Sequence, residues 1–502
     1  MVMVGWLAAC SRDAVDPEVA ARVSLDLRGV RPSVAELDEL ELRPGRWDYL
    51  VDGWLRDPRF GDRVRDVLAL AWRTRLDTYT PQASEFGLPP SDDVDFQRSV
   101  GEEVLRLGAE VAESDLDWRE LVTADWTLVD DHLAAVWPVE PEPGKGWRRA
   151  RYVDGRPAAG VLSTNGAWWR YTTTMENYNR GRANAIARIL LCSDFLARPV
   201  AFPRSDAAPG SDALLDQTKT DPSCTVCHFS LDPLGSYLYG FDYWVEPYYM
   251  TPEYSPAAEA LWRGRTEVPP SYFGQEAPGL DGLGRAVAGD PRFTSCAVEQ
   301  VLEGVLQRDV SEADFGLVAR HLEVFEASER RMRPLFRSAA LDPENVGPGR
   351  ADKLLPPESL TASVEALTGF RWVDDDGREV LGNDLSGVRT LAGGYDGKAV
   401  TQPLRRSNPT VVLVHRRLAE LAATHAVTHP DNPLFQGRSP TEVDDDELLE
   451  HLFRATLSRR PDAEEADLAR ELRDTVAAAE GTEAGWAAVT ALLLRHPDFV
   501  TF

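Results

Sequence analysis

Apolar positions recur along most of the chain at the three- and four-residue spacing of an amphipathic helix, with polar residues filling the opposite face. The pattern predicts long helical stretches at about 61–77, 94–114, 181–196, 295–330, 409–427, 445–458 and 463–499. Two helix starts carry capping boxes, Ser33 with Glu36 and Asp462 with Glu465. The tetrads Asp57-Pro58-Arg59-Phe60, Asp290-Pro291-Arg292-Phe293 and His496-Pro497-Asp498-Phe499 read as reused stop punctuation of helical hairpins, spaced too irregularly for a solenoid. A helix is expected from about Ser295 to Gln307, after the second of them. Pro/Gly-rich segments at 138–146, 203–211, 268–284 and 343–357 interrupt the pattern. The last of these, with Gly347-Pro348-Gly349 and Pro356-Pro357, is the best candidate for a domain boundary. Short β-prone runs around 370–392 predict a hairpin turning at Asp376-Gly377. The expected fold class is mainly α: several helical bundle-like modules joined by long irregular loops.

Composition changes this picture little. A length of 502 residues suggests about three domains. The net charge of −28 repels nucleic acid and anionic lipid. The densest basic run is Arg330-Arg331-Met332-Arg333, and the rest are pairs such as Arg148-Arg149 and Arg405-Arg406, so no nucleic-acid partner is expected. Hydrophobic residues at 43% are ordinary globular usage and exclude global disorder. No apolar run approaches the ~18 residues of a membrane-spanning helix.

The five cysteines carry more information. Leu7-Ala8-Ala9-Cys10 resembles the lipobox of bacterial lipoproteins, in which the cysteine is lipidated. The apolar stretch before it is short and lacks the positive flank of an export signal, which suggests a start codon upstream of Met1. The alternative is a chance apolar N-terminus with a buried cysteine. With lipid on Cys10 the expected location is the cell envelope; Ser11 after the cysteine resembles the signal for the periplasmic face of an outer membrane, or the cell surface. The membrane would then be a partner through the anchor alone.

Residues 224–228 read Cys-Thr-Val-Cys-His, the c-type haem attachment motif. On one helical turn Cys224 and Cys227 share a face, where each thiol can add to a haem vinyl group, and His228 follows as proximal iron ligand. One covalent haem c is the expected cofactor. A redox dithiol and half of a zinc site are the alternatives; the nearest further metal pair, His425 and His429, reads equally as surface histidines at a helix C-terminus. The neighbourhood is rich in aromatics, among them Phe229, Tyr237, Tyr239, Phe241, Tyr243, Trp244, Tyr248, Tyr249 and Tyr254, which could wall a haem or simply pack. Met250 leads as distal ligand because it follows the attachment site, with Met175 behind it; a distal His or an open sixth position is the alternative. In an exported protein the remaining Cys192 and Cys296 are expected to form a disulfide, the alternative being two buried thiols.

At these residues the chain resembles the cytochrome c-like multidomain proteins of planctomycetes and myxobacteria. The likeness lies in Leu25, Asp26, Leu27, Gly29, Pro32, Ser33, Glu36 and Leu37 of the first segment, in the block Leu121 to Trp137, and in Arg180-Gly181. Around the motif it rests on His228, Asp232, Pro233, Gly235, Phe241 and Asp242, and beyond it on Phe293 and Cys296. Leu231 and Tyr239 depart from the Met and Glu common in the family at these places. The likeness covers most of the chain, is strongest over about 115–310, and weakens over the segment from Leu354 onward. It implies a lipoprotein signal remnant (1–10), an N-terminal helical domain (11–150), a cytochrome c-like haem domain with a closing helical module (151–340) and a mainly helical C-terminal domain (350–502).

The expected function is covalent haem binding and electron transfer with a redox partner protein. The alternatives are a haem peroxidase-like enzyme, or a surface-polymer binding or assembly protein with a structural haem. No Ser/His/Asp order, P-loop or dinucleotide fingerprint is recognisable; Gly393-Gly394-Tyr395-Asp396-Gly397 reads as a turn, and the acidic runs 374–376 and 444–446 as solvated charge.

Overall fold

The computed structural model describes residues 15–76, 78–174, 176–197, 211–241, 244–245, 249–437 and 445–502, with the side chains of 211–214, 244–245 and 249–250 left aside. Helices dominate it. The expected amphipathic stretches are found as Arg59–Trp72, Asp93–Glu113, Arg180–Leu191, Pro409–Thr428 and Asp445–Leu457. Two longer stretches are broken into pairs, Pro291–Leu306 with Phe315–Ala327 and Ala463–Glu480 with Thr482–Leu494. Both capping boxes are formed, at Ser33 and at Asp462. A small antiparallel sheet places Arg148–Tyr152 between Thr127–Val129 and Val139–Pro141. At 370–392 a single bridge, Val373 to Glu379, spans the Asp376-Gly377 turn in place of a paired hairpin.

The Asp-Pro tetrads are helix starts, which corrects their reading as stops. Asp290 accepts a hydrogen bond from the Arg292 N–H at 2.9 Å while Pro291 occupies the first helical position, so this helix begins before Ser295. The same contact recurs from Asp16 to Glu18, Asp57 to Arg59, Asp221 to Ser223 and Asp342 to Glu344. Proline has no N–H to waste at that position and its fixed φ suits the helix, while the aspartate oxygen satisfies the next orphan donor. His496 likewise caps Pro497–Val500.

Buried apolar side chains form two clusters. One gathers residues from Ala20 to Ala340 together with Tyr395, and takes members from both sides of position 150; the other gathers Leu25 and residues from Leu355 to Phe499. The chain passes between them near the Gly347-Pro348-Gly349 segment. There Lys353 exchanges backbone hydrogen bonds with Phe502, and Leu355 donates to Val500, so the last residues lie along the start of the C-terminal part. Arg22 of helix Pro17–Arg28 donates to the carbonyl of Phe502 at 2.6 Å and to that of Ala351 at 2.6 Å. In the first cluster Glu103 is fully buried and accepts from Thr127 Oγ1, Trp137 Nε1, Tyr152 Oη and the Gly166 N–H. Four donors at one carboxylate tie helix Asp93–Glu113 to the sheet and to helix Asn165–Arg170.

Candidate functional site

Helix Pro222–Ser236 carries the attachment motif in its first two turns. Asp221 caps it and Pro222 opens it, so the sequence Asp-Pro-Ser-Cys starts a helix immediately before the first thiol. Cys224 and Cys227 are both free and half-buried. Between and after them Val226 is 65% exposed and Phe229 72% exposed, leaving an apolar strip beside the thiols in contact with solvent. The second half of the helix is buried from Leu231 to Ser236. Gly235 permits that burial: a Cβ there would stand 2.8 Å from the carbonyl oxygen of Tyr178.

His228 is oriented by a carboxylate one turn on. Its Nδ1 lies 2.9 Å from Asp232 Oδ1, and Asp232 is itself held by Arg180, Nε to Oδ1 at 2.7 Å and Nη2 to Oδ2 at 2.9 Å. Burial disfavours the charge on Asp232, yet the hydrogen bonds from His228 and Arg180 bring its carboxyl below the usual carboxylate range. An ionised carboxylate at Nδ1 makes that nitrogen the donor, so in the neutral imidazole the lone pair for a metal is on Nε2. This is the carboxylate–histidine arrangement that orients metal-ligating imidazoles. Asp232 was legible as the residue four places after His228 on a helix. Arg180 stood only in the Arg180-Gly181 likeness, and its tie to Asp232 was not legible, because 52 residues separate the two and the packing of helix Arg180–Leu191 on Pro222–Ser236 joins them.

Four of the neighbouring aromatics belong to the core. Tyr237, Tyr239, Phe241 and Tyr254 are buried; Tyr237 Oη donates to the Ala277 carbonyl, and Phe241 packs edge-on against Tyr254 at 4.8 Å. Met250 lies on the two-residue strand Tyr249–Met250, paired with Trp244–Val245, and its side chain is outside the described set. Cys10, Met175, Asp242, Tyr243 and Tyr248 also lie outside the described residues.

The other two cysteines are joined: Cys192 and Cys296 form a disulfide with their Cα atoms 5.2 Å apart, linking the end of helix Arg180–Leu191 to helix Pro291–Leu306. The rings of His425 and His429 stack at 4.3 Å on the end of helix Pro409–Thr428, with His429 Nδ1 3.2 Å from the His425 carbonyl oxygen. Among the described residues no group of three or more His, Cys, Asp or Glu side chains could hold a metal ion, and no helix is long and apolar enough to cross a membrane. The chain matches no protein-family model, no curated protein and no solved structure.

One constellation was not expected from sequence. His321 contacts Ser338 Oγ through Nδ1 at 2.8 Å and Asp342 Oδ2 through Nε2 at 3.0 Å. Ser338 sits inside helix Met332–Ala340, where the surrounding N–H groups are spent on the helix and offer no oxyanion hole. Asp342 caps the next helix and pairs with Arg320. The trio is therefore a structural bridge between helices.

Proposed function

We propose that the chain is a cell-envelope protein carrying one covalent c-type haem and serving in electron transfer. The observation that carries this reading is the set Cys224, Cys227 and His228 on one exposed helix end, with the His228 ring held through Nδ1 by Asp232 and Arg180. The residues fit the group on three counts. Both thiols are free and reachable, Asp232 occupies Nδ1 of His228 and leaves Nε2 as the ring nitrogen for a metal, and the exposed side chains of Val226 and Phe229 offer apolar surface for a macrocycle to cover. Bound haem would supply a one-electron redox couple. The protein's own residues do the rest: Cys224 and Cys227 fix position, Asp232 sets the tautomer of His228, and Arg180 keeps Asp232 charged. Met250 is the proposed distal ligand. Lipid on Cys10 is the proposed means of attachment to the envelope, and it needs no basic surface on a chain of charge −28.

The test is expression with export in a host that attaches haem c, followed by denaturing mass analysis and absorption spectra in both oxidation states. The reading expects a haem mass increment that is lost in Cys224→Ala/Cys227→Ala, and a low-spin reduced spectrum. An exported, folded protein with neither mass increment nor Soret band overturns it.

A further inference from the structure

Three helices end on one cavity. Arg73, Cys192 and Gln307 are the C-caps of helices Arg59–Trp72, Arg180–Leu191 and Pro291–Leu306, and all three line a cavity of about 350 Å³. Each has left-handed backbone, at φ 54°, 47° and 50°, which costs free energy in any residue bearing a Cβ. The terminal carbonyls are answered from within the same group of helices. Arg188 donates to Ala71 O at 2.9 Å, Arg63 to Gly304 O at 3.0 Å and Gln300 to Ile189 O at 2.6 Å.

Among the charged residues of the lining, Asp66 and Glu358 pair with Arg75 and Arg405 with Asp309, whereas Arg73, Arg188, Glu299 and Glu303 have no ion pair among the described residues. The guanidinium of Arg73 makes no hydrogen bond or ion pair among the described residues, and its Nε is buried. Among the described residues Arg188 donates to Ala71 O and to Tyr171 Oη and has no ion pair. The carboxylate whose charge acts on Arg73 is Asp194, already engaged by Asn184 and the Leu196 N–H. Glu299 and Glu303, four residues apart on one helix face, also line the cavity, and neither has an ion pair among the described residues. Glu299 accepts from Ser295 Oγ at 3.3 Å and Glu303 from the Val310 N–H at 3.2 Å. Burial pushes both carboxyls up, and the charge of Asp309 adds to the effect on Glu303 although Arg405 opposes it. Tyr395 lines the same space, and its buried hydroxyl has no hydrogen-bond partner among the described residues. Apolar side chains, among them Val67, Leu70 and Leu404, complete the lining.

A ligand bearing only a carboxylate would answer the arginines and leave the two glutamates uncompensated; one bearing only an ammonium would do the reverse. We propose that this cavity binds a small zwitterion of the amino-acid type, with its carboxylate at Arg73 and Arg188, its ammonium at Glu299 and Glu303, and its aliphatic part against Leu70 and Leu404. The volume lies within the range of small-molecule sites, about 300–1,000 Å³. The proposal stands independently of the haem reading, because none of these residues belongs to the attachment helix.

The test uses the full chain and a thermal-shift screen of the standard amino acids at about 10 mM, followed by calorimetry on the best of them. The same amino acid is then compared with its analogue lacking the amine and its analogue lacking the carboxylate. The expected result is saturable binding of the amino acid, with each half-analogue at least tenfold weaker. Arg73→Gln should weaken the amino acid at least tenfold while leaving the amine analogue unchanged. Glu299→Gln/Glu303→Gln should do the converse, with folding of each variant checked by circular dichroism. Absence of any shift across the screen overturns the proposal, as does a half-analogue that binds as tightly as the whole zwitterion.

Discussion

Lys353, on the segment leading into the C-terminal helices, sets its ammonium against the carboxylate of Asp26 in the first helix, and both side chains are buried. Asn345 bridges them, donating to Asp26 Oδ2 at 2.7 Å and accepting from Lys353 at 3.1 Å. Burial pulls the Lys353 ammonium down to about 7 while the charge of Asp26 works against that fall. Removing one partner of such a pair strands the other, which costs about 3–5 kcal/mol. Lys353→Met should therefore lower stability by about that much in urea unfolding, and Lys353→Met/Asp26→Asn should recover part of the loss.

The disulfide closes a sequence separation of 104 residues. Replacing both cysteines, Cys192→Ala/Cys296→Ala, should cost about 2–5 kcal/mol. Reductant should lower the melting temperature of the wild-type chain and leave that of the double variant unchanged, as differential scanning calorimetry would show.

Asp57 gives a pH dependence with a definite sign. Burial opposes its charge, but hydrogen bonds from Arg59 and the charge of Arg28 hold its carboxyl at about 2. A carboxyl depressed on folding stabilises the native state above its unfolded value, near 3.9, and loses that contribution as pH falls through the folded value. With allowance for solvent screening the contribution is about 1 kcal/mol. Asp57→Asn should remove that share of the acid destabilisation between about pH 4 and pH 2, read from unfolding curves across that range.

Asp232 is the support of the candidate site. Asp232→Ala leaves Arg180 with Thr218 Oγ1 at 3.3 Å and leaves His228 Nδ1 without its acceptor, at a cost of about 1–3 kcal/mol. In the haem-loaded protein, Asp232→Asn should raise the midpoint potential, since a neutral partner makes the His228 imidazole a poorer donor. Spectroelectrochemical titration of both proteins checks the direction.

Local signals in the sequence located many of the longer helices because one face of each is buried and the other solvated, as in Asp93–Glu113 and Pro409–Thr428, but passed over Pro17–Arg28, Met332–Ala340 and Pro357–Thr368. Asp-Pro was misleading: both residues also punctuate turns, and only the hydrogen bond from the N–H two residues on shows that they open a helix. At the site, the helical register puts Cys224, Cys227, His228 and Asp232 within reach of a sequence argument. Arg180, the unpartnered Arg73 and the glutamates Glu299 and Glu303 take their meaning from neighbours more than a hundred residues distant in several cases, as with Arg188 and Ala71. Periodicity carries no trace of such approaches.

The bond between Cys192 and Cys296 encloses the attachment motif within its loop. Four cysteines in this region can pair in three ways, and two of those arrangements cross-link the motif to the flanking pair. All three full pairings would consume both thiols of the motif, and these two would also replace the Cys192–Cys296 bond. Under the proposed export, the order in which sulphurs are claimed decides whether the chain reaches this Cys192–Cys296 form or a mispaired one.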